Sequence, residues 1–296
     1  MSDDSHLARE IATQPRDWHT GAARAAVHRE LLPRPGERVA VTGCGTSFFM
    51  AQCYAALRED AGQGLTDAWP AGEHRLARGY DRVLALTRSG TTTEVLRALR
   101  AADGVPRTVI TAVPDAPATA LAATIALPEA DERSVVQSRF ATTALALLRA
   151  SLGEDIAPAA ADAAAALAAG PESLGPAATA GQVTFLGRGW TCGLAAEAAL
   201  KLRESAQAWA ESYPATEYRH GPISIAGPGR VTWALGEVPD GLADQVRATG
   251  AHFEHAPGVD PMAELVRVHR LCLVRARAAG LDPDAPRHLS RSVVLG

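Results

Sequence analysis

Short apolar runs alternate with stretches of helical periodicity along this chain. Arg38-Val39-Ala40-Val41-Thr42, Arg82-Val83-Leu84-Ala85-Leu86 and Thr108-Val109-Ile110-Thr111-Ala112-Val113 read as strands. Ser47 to Arg58 and Thr92 to Ala102 read as helices. Strands nearly continuous in Val, Ile and Leu predict a parallel sheet buried on both faces. Strand and helix in alternation predict right-handed βαβ units. The pattern pauses between Ala157 and Gly181, where Ala, Gly and Pro dominate; Ala159 to Ala169 predicts an exposed helix and the rest a linker. It then restarts with Val183-Thr184-Phe185-Leu186-Gly187-Arg188-Gly189, a strand closing in Gly-x-Gly before a long helix. The same succession occurs 144 residues earlier, at Gly43-Cys44-Gly45. This predicts two related halves; the alternative is two unrelated βα turns of a kind common in doubly wound proteins.

Composition sharpens this picture. With 296 residues the chain has room for two domains of ~100–200 residues each. A formal charge of -4 argues against a nucleic-acid partner, which needs a basic face. The polar start Met1-Ser2-Asp3-Asp4-Ser5-His6 lacks the features of a signal peptide, and no run reaches the ~18 apolar residues of a membrane span. A soluble, cytoplasmic protein is expected. The four cysteines, Cys44, Cys53, Cys192 and Cys272, form no Cys-x-x-Cys pair and are expected to be reduced thiols; no metal site is predicted.

Candidate chemistry in the first half sits at two strand-to-helix turns. Gly43-Cys44-Gly45-Thr46-Ser47 combines glycines, which admit a ligand close to the backbone, with hydroxyl donors at a helix start suited to a phosphate. Thr87-Arg88-Ser89-Gly90-Thr91-Thr92-Thr93-Glu94 is a second such turn. Its ordinary reading is an N-cap box. One cap needs one hydroxyl, however, and this turn offers five. Two such turns on neighbouring parallel strands favour an anionic ligand in one crevice. No nucleotide P-loop is present.

In the second half, Glu197, Lys201 and Glu204 fall at i, i+4 and i+7 and share one helix face. A solvated salt bridge is the ordinary reading. Glu211 to Pro222 reads as a dense polar loop, in which His220 precedes Gly221-Pro222 and is held in a turn. A carboxylate and a histidine are a plausible acid–base pair.

Taken in order, these segments resemble the tandem sugar-isomerase (SIS) domain family, and within it the isomerase part of the glutamine–fructose-6-phosphate aminotransferases. The resemblance runs from Glu10-Ile11-Ala12-Thr13-Gln14-Pro15 through the two turns, Glu132-Arg133-Ser134-Val135 and Ala199-Leu200-Lys201-Leu202-Arg203-Glu204, to His220-Gly221-Pro222 and Leu289-Ser290-Arg291-Ser292-Val293. It implies an α/β chain of two doubly wound three-layer α/β/α domains with parallel sheets, divided as 1–155, a linker at 156–180, and 181–296.

It also implies roles. Thr46, Ser47, Thr87, Arg88, Ser89 and Thr92 match the phosphate-binding turns, with Thr87 and Arg88 standing where the family usually has Ser and Gln. Glu204 matches the carboxylate that moves a proton between C1 and C2, and Lys201 a lysine assisting it. His220 matches a ring-opening histidine that reaches into the site of the other subunit, so a homodimer with a shared active site is implied. Val135 and Arg291 match substrate-contacting positions. Arg291 replaces a lysine that forms a Schiff base with the open-chain sugar, which a guanidinium is not expected to do. The glutaminase part of those enzymes has no counterpart here, so glutamine-dependent amination by this chain alone is not expected. The expected activity is isomerisation of a hexose or aminohexose 6-phosphate, aldose–ketose or deaminating, with no cofactor. The alternative is a non-catalytic sugar-phosphate sensor. Such regulators typically carry a helix-turn-helix, for which the ~37 residues before the first strand leave too little room.

Overall fold

The apolar runs become the central strands of two parallel sheets in the computed structural model, which describes residues 4–295. The described residues group into two compact units. The first holds Arg16–Arg133, Gln137–Ile156 and 290–295; the second holds 4–15, Ser134–Val136 and Ala157–Leu289. The helix α1 (His6–Val27) contains Pro15, the last residue counted with the second unit.

In the first unit β1 (Val39–Gly43), β2 (Thr66–Pro70), β3 (Arg82–Leu86), β4 (Arg107–Thr111) and β5 (Ala123–Ala126) pair in the order β2-β1-β3-β4-β5, all parallel. Every residue of β1 and β3 is buried, as strands covered on both faces require. The crossover through α2 (Thr46–Asp60) runs toward one edge, and that through α3 (Thr93–Ala101) toward the other. Right-handed crossovers therefore set the two helices on opposite faces. The order reverses between β1 and β3, and a ligand crevice is expected at the carboxyl ends of those strands. The helix α4 (Arg139–Ser151), buried along most of its length, packs on α2.

The second unit repeats the plan. The strands β6 (Gln182–Gly187), β7 (Ala210–Pro214), β8 (Arg230–Leu235) and β9 (His252–His255) pair in the order β7-β6-β8-β9. The helix α6 (Thr191–Ala206) links β6 to β7, and α7 (Leu242–Ala248) links β8 to β9. The repeat read from the sequence is thus a repeat of strand order. Its glycines have one physical reason. A Cβ on Gly43 would lie 2.8 Å from Ser47, and one on Gly187 would lie 2.2 Å from the Thr191 carbonyl. In each half a bare glycine lets the next helix start against the strand end.

Two expectations are corrected, and one ordinary reading is excluded. The helix read at Ala159 to Ala169 is present as α5 (Ala157–Ala168), but one side of it is buried: Ala159, Ala160, Ala163 and Ala166 are covered, and α5 packs on α8 (Pro261–Ala278). The stretch read as linker after it holds a 3-10 segment (Pro171–Ala178). Four methyl groups on one helix face suffice for close packing but add little hydrophobic signal. The polar stretch after Glu211 is not all loop, because Ala210–Pro214 is the edge strand β7. The face of Glu197 and Lys201 is not solvated, because both side chains are about 1% exposed.

Candidate functional site

The first unit presents its two turns at the carboxyl ends of β1 and β3. At the first, α2 begins at Thr46 after Gly45, whose φ of 52° is the left-handed conformation. The Ser47 and Phe48 amides close the turn on the Cys44 and Gly45 carbonyls. Thr46 and Ser47 are buried, yet neither hydroxyl has a hydrogen-bond partner among the described residues. The corresponding turn of the second unit differs. There the Thr191 hydroxyl accepts from the Arg188 amide at 2.8 Å and donates to the Arg188 carbonyl at 3.0 Å. The turn of the second unit is closed by its own threonine, whereas the hydroxyls of Thr46 and Ser47 take no part in closing theirs. Burial and the Glu94 carboxylate push the Cys44 thiol up to about 11, so it stays uncharged beside the turn.

At the other turn, Gly90 adopts φ 65°, and its amide donates to Thr87 Oγ1 at 3.2 Å. Ser89 Oγ accepts from the Thr91 amide at 3.2 Å and from Thr91 Oγ1 at 2.9 Å. Thr92 is the N-cap of α3 but makes no side-chain capping bond. The capping reading therefore does not account for its hydroxyl. Both helix starts carry the partial positive charge that favours anions. Arg88 is buried and engaged elsewhere: its guanidinium lies 3.8 Å from the Glu132 carboxylate and donates to the Arg291 carbonyl at 2.7 Å.

In the second unit, α6 aims its charged face inward. Lys201 Nζ lies 3.7 Å from Glu197 Oε1 and donates to Glu204 Oε2. Glu197 and Lys201 are fully buried, while the Glu204 side chain keeps 17% exposure. The Ser205 hydroxyl donates to the Lys201 carbonyl at 2.7 Å and fixes this turn. His269 on α8 is buried, with Nδ1 3.1 Å from the Gln14 amide nitrogen. Burial, aided by the Lys201 charge, pushes its imidazole down to about 3, so it is neutral at any physiological pH. Glu204 borders an open cavity of about 430 Å³, which Arg203, Gln207, Arg287 and His288 also line. Arg287 and His288 were not singled out in the sequence; His288 adopts a positive φ of 65°. A larger cavity of about 1000 Å³ lies in the first unit among Ala22, Ala26, Pro33 and Leu152, and no candidate residue lines it.

His220 is exposed at the end of a 3-10 turn (Tyr218–His220) that is anchored by buried Tyr218. Its amide donates to the Glu217 carbonyl at 2.9 Å, and its ring has no partner among the described residues. The Val135 amide donates to the Asp284 carbonyl at 3.2 Å. The Arg291 guanidinium donates to the Glu132 carbonyl and pairs with the Asp131 carboxylate. Among the described residues, no cluster of three or more His, Cys, Asp or Glu side chains is placed to hold a metal, and no helix is long and apolar enough to cross a membrane.

Two parallel sheets of matching strand order, each flanked by helices, make up an α/β fold that matches solved sugar-isomerase (SIS) domain structures. In sequence the chain is similar to glutamine–fructose-6-phosphate aminotransferases. The enzyme of that name from Symbiobacterium thermophilum is 30% identical over 98% of this chain and 59% of its own length. The chain thus spans little more than half of the curated relatives it matches. Among solved structures, glucosamine-6-phosphate deaminase from Thermotoga maritima superimposes with a TM-score of 0.79 at 23% identity, covering 98% of this chain and 100% of its own. The tagatose-6-phosphate ketose/aldose isomerase of Escherichia coli gives 0.80 at 18% identity, covering 99% and 96%. No protein-family model matches the chain.

Proposed function

We propose that this chain is a sugar-phosphate isomerase acting on a hexose or aminohexose 6-phosphate, by aldose–ketose isomerisation with or without loss of ammonia. The observation that carries this reading is the buried Lys201 ammonium bonded to Glu204, a carboxylate that keeps access to an open cavity. Both reactions need one base to take a proton from a carbon beside a carbonyl or imine and return it to the neighbouring carbon. Glu204 fills that role, removing the proton from C2 and delivering it to C1. Lys201 stabilises the negative charge that develops on the enediolate oxygen. The hydroxyls of Ser47, Ser89 and Thr92, with Thr46 and the two helix starts, bind the phosphate. His220, exposed in its turn, moves the proton of ring opening and serves the site of a second subunit in a cytoplasmic homodimer. Arg291 is committed to Asp131 and supplies no amine, which separates this chemistry from amination through a lysine imine.

The relatives' names support a substrate of this class, since they include a deaminase of glucosamine 6-phosphate and an isomerase of tagatose 6-phosphate. A panel of sugar phosphates followed by proton and phosphorus NMR in heavy water tests the reading. Incorporation of deuterium at C2 with conversion is expected for at least one hexose 6-phosphate. Release of ammonia from glucosamine 6-phosphate marks the deaminating branch. Absence of exchange across the panel refutes the proposal.

Two further results are expected. Ser89→Ala weakens sugar-phosphate binding by about 1–3 kcal/mol, the scale of a hydrogen bond to a charged group, as read by calorimetry; unchanged affinity would remove Ser89 from the phosphate site. Mixing Glu204→Gln chains with His220→Ala chains restores activity that neither variant has alone. No rescue despite proven subunit exchange would mean that each site is built from one chain.

A further inference from the structure

The segment 290–295 groups with the first unit, and its contacts fall on the second of the two phosphate turns. Thr91 Oγ1 lies 2.8 Å from Ser292 Oγ. The Thr93 amide donates to the Val293 carbonyl at 3.2 Å, and Thr93 Oγ1 accepts from the Leu295 amide at 2.9 Å. Buried Arg88 donates to the Arg291 carbonyl at 2.7 Å. Arg291 in turn spans the Glu132 carbonyl and the Asp131 carboxylate with its guanidinium fork. Glu132 is anchored as well, because its other oxygen accepts from the Ser138 and Arg139 amides at the start of α4. The two arginines therefore form a clasp: the Arg88 side chain holds the Arg291 main chain, and both guanidinium groups end on the Asp131-Glu132 segment.

We propose that residues 291–295 are a fixed wall of the phosphate site, latched by Arg291 on Asp131, and that Arg291 is a positioning residue for the hydroxyls of Ser89 to Thr92. This rests on the reading of that turn as the phosphate site. Ser89 Oγ is held by Thr91, and Thr91 Oγ1 is held by Ser292. Loosening the wall therefore frees Thr91 to rotate and loosens Ser89 with it. The Arg291 and Asp131 side chains keep 36% and 41% exposure, so the latch is a screened pair whose loss relaxes the loop without unfolding the unit.

The test measures binding of glucosamine 6-phosphate and of inorganic phosphate by calorimetry. The parent chain is compared with Arg291→Ala, Asp131→Arg, and the exchanged pair Asp131→Arg/Arg291→Asp. Each single variant is expected to weaken both ligands about 5- to 20-fold, on the order of one charge-assisted hydrogen bond. The exchanged pair is expected to recover most of that loss, which a general packing defect would not allow. Parent-like affinity in Arg291→Ala overturns the proposal, as does an exchanged pair no better than the single variants. Loss confined to the sugar phosphate, with inorganic phosphate unaffected, also overturns it and makes Arg291 a contact of the sugar. If the parent binds neither ligand, the phosphate reading itself falls, and the latch with it.

Discussion

Glu204→Gln is expected to reduce turnover by about 100-fold or more, the size of a general-base contribution, while sugar-phosphate affinity stays close to that of the parent. Glutamine keeps the shape of the side chain and its acceptor oxygen but cannot take a proton. The residues proposed for the phosphate are grouped with the other unit and are untouched by the change. Exchange of the C2 proton with heavy water should cease together with conversion. A carboxylate serving only as Lys201's partner predicts a different outcome: a small loss of stability, ~0–1 kcal/mol for a partly exposed pair, with chemistry intact. The two readouts separate the cases, because proton exchange reports the base and a denaturation midpoint reports the ion pair. Exchange at the parent's rate in the variant would assign the proton transfer to another group.

Lys201→Met is expected to destabilise the chain by about 3–5 kcal/mol in urea unfolding, in addition to its effect on catalysis. The ammonium lies between Glu197 and Glu204, and removing it leaves two carboxylates on one face of α6, one of them fully buried. A buried charge stripped of its counter-charge bears the desolvation cost without the attraction that offset it. The double variant Glu197→Gln/Lys201→Met should regain much of the loss, since no buried ion then remains at that end of the face. A cost below about 1 kcal/mol for the single change would mean that water or another group screens this face as well as solvent does.

Of the central strands, all but β8 (Arg230–Leu235) were legible in the sequence. β1, β3, β4 and β6, with α2 and α3, lie within two residues of the positions that the apolar runs predict. The four edge strands, β2, β5, β7 and β9, were not. An edge strand is short and half solvated, so Thr66-Asp67-Ala68-Trp69-Pro70 or His252-Phe253-Glu254-His255 carries no continuous apolar run. The turns at Gly43 and Gly187 could be read because close approach of helix and strand leaves a glycine that nothing else replaces. The spacing of Glu197, Lys201 and Glu204 was readable as a shared face, but not its burial, because burial depends on α8, which lies far along the chain. The partner of Arg291 was out of reach for the same reason: Asp131 is 160 positions away, and only the fold brings it near.

The clasp between Arg88 and Arg291 also bears on how the protein is made. The first sheet and its helices are complete by Ile156, so that unit can assemble while the rest of the chain is still being synthesised. One hydrogen bond that sets Thr91, however, comes from Ser292, 201 positions later. A nascent first unit is therefore well packed but has an unstrapped loop until synthesis has passed Ser292. Premature termination between the two points would release a folded sheet without its finished loop, and a bulky group fused just beyond Leu295 would load the strand of chain on which that loop depends.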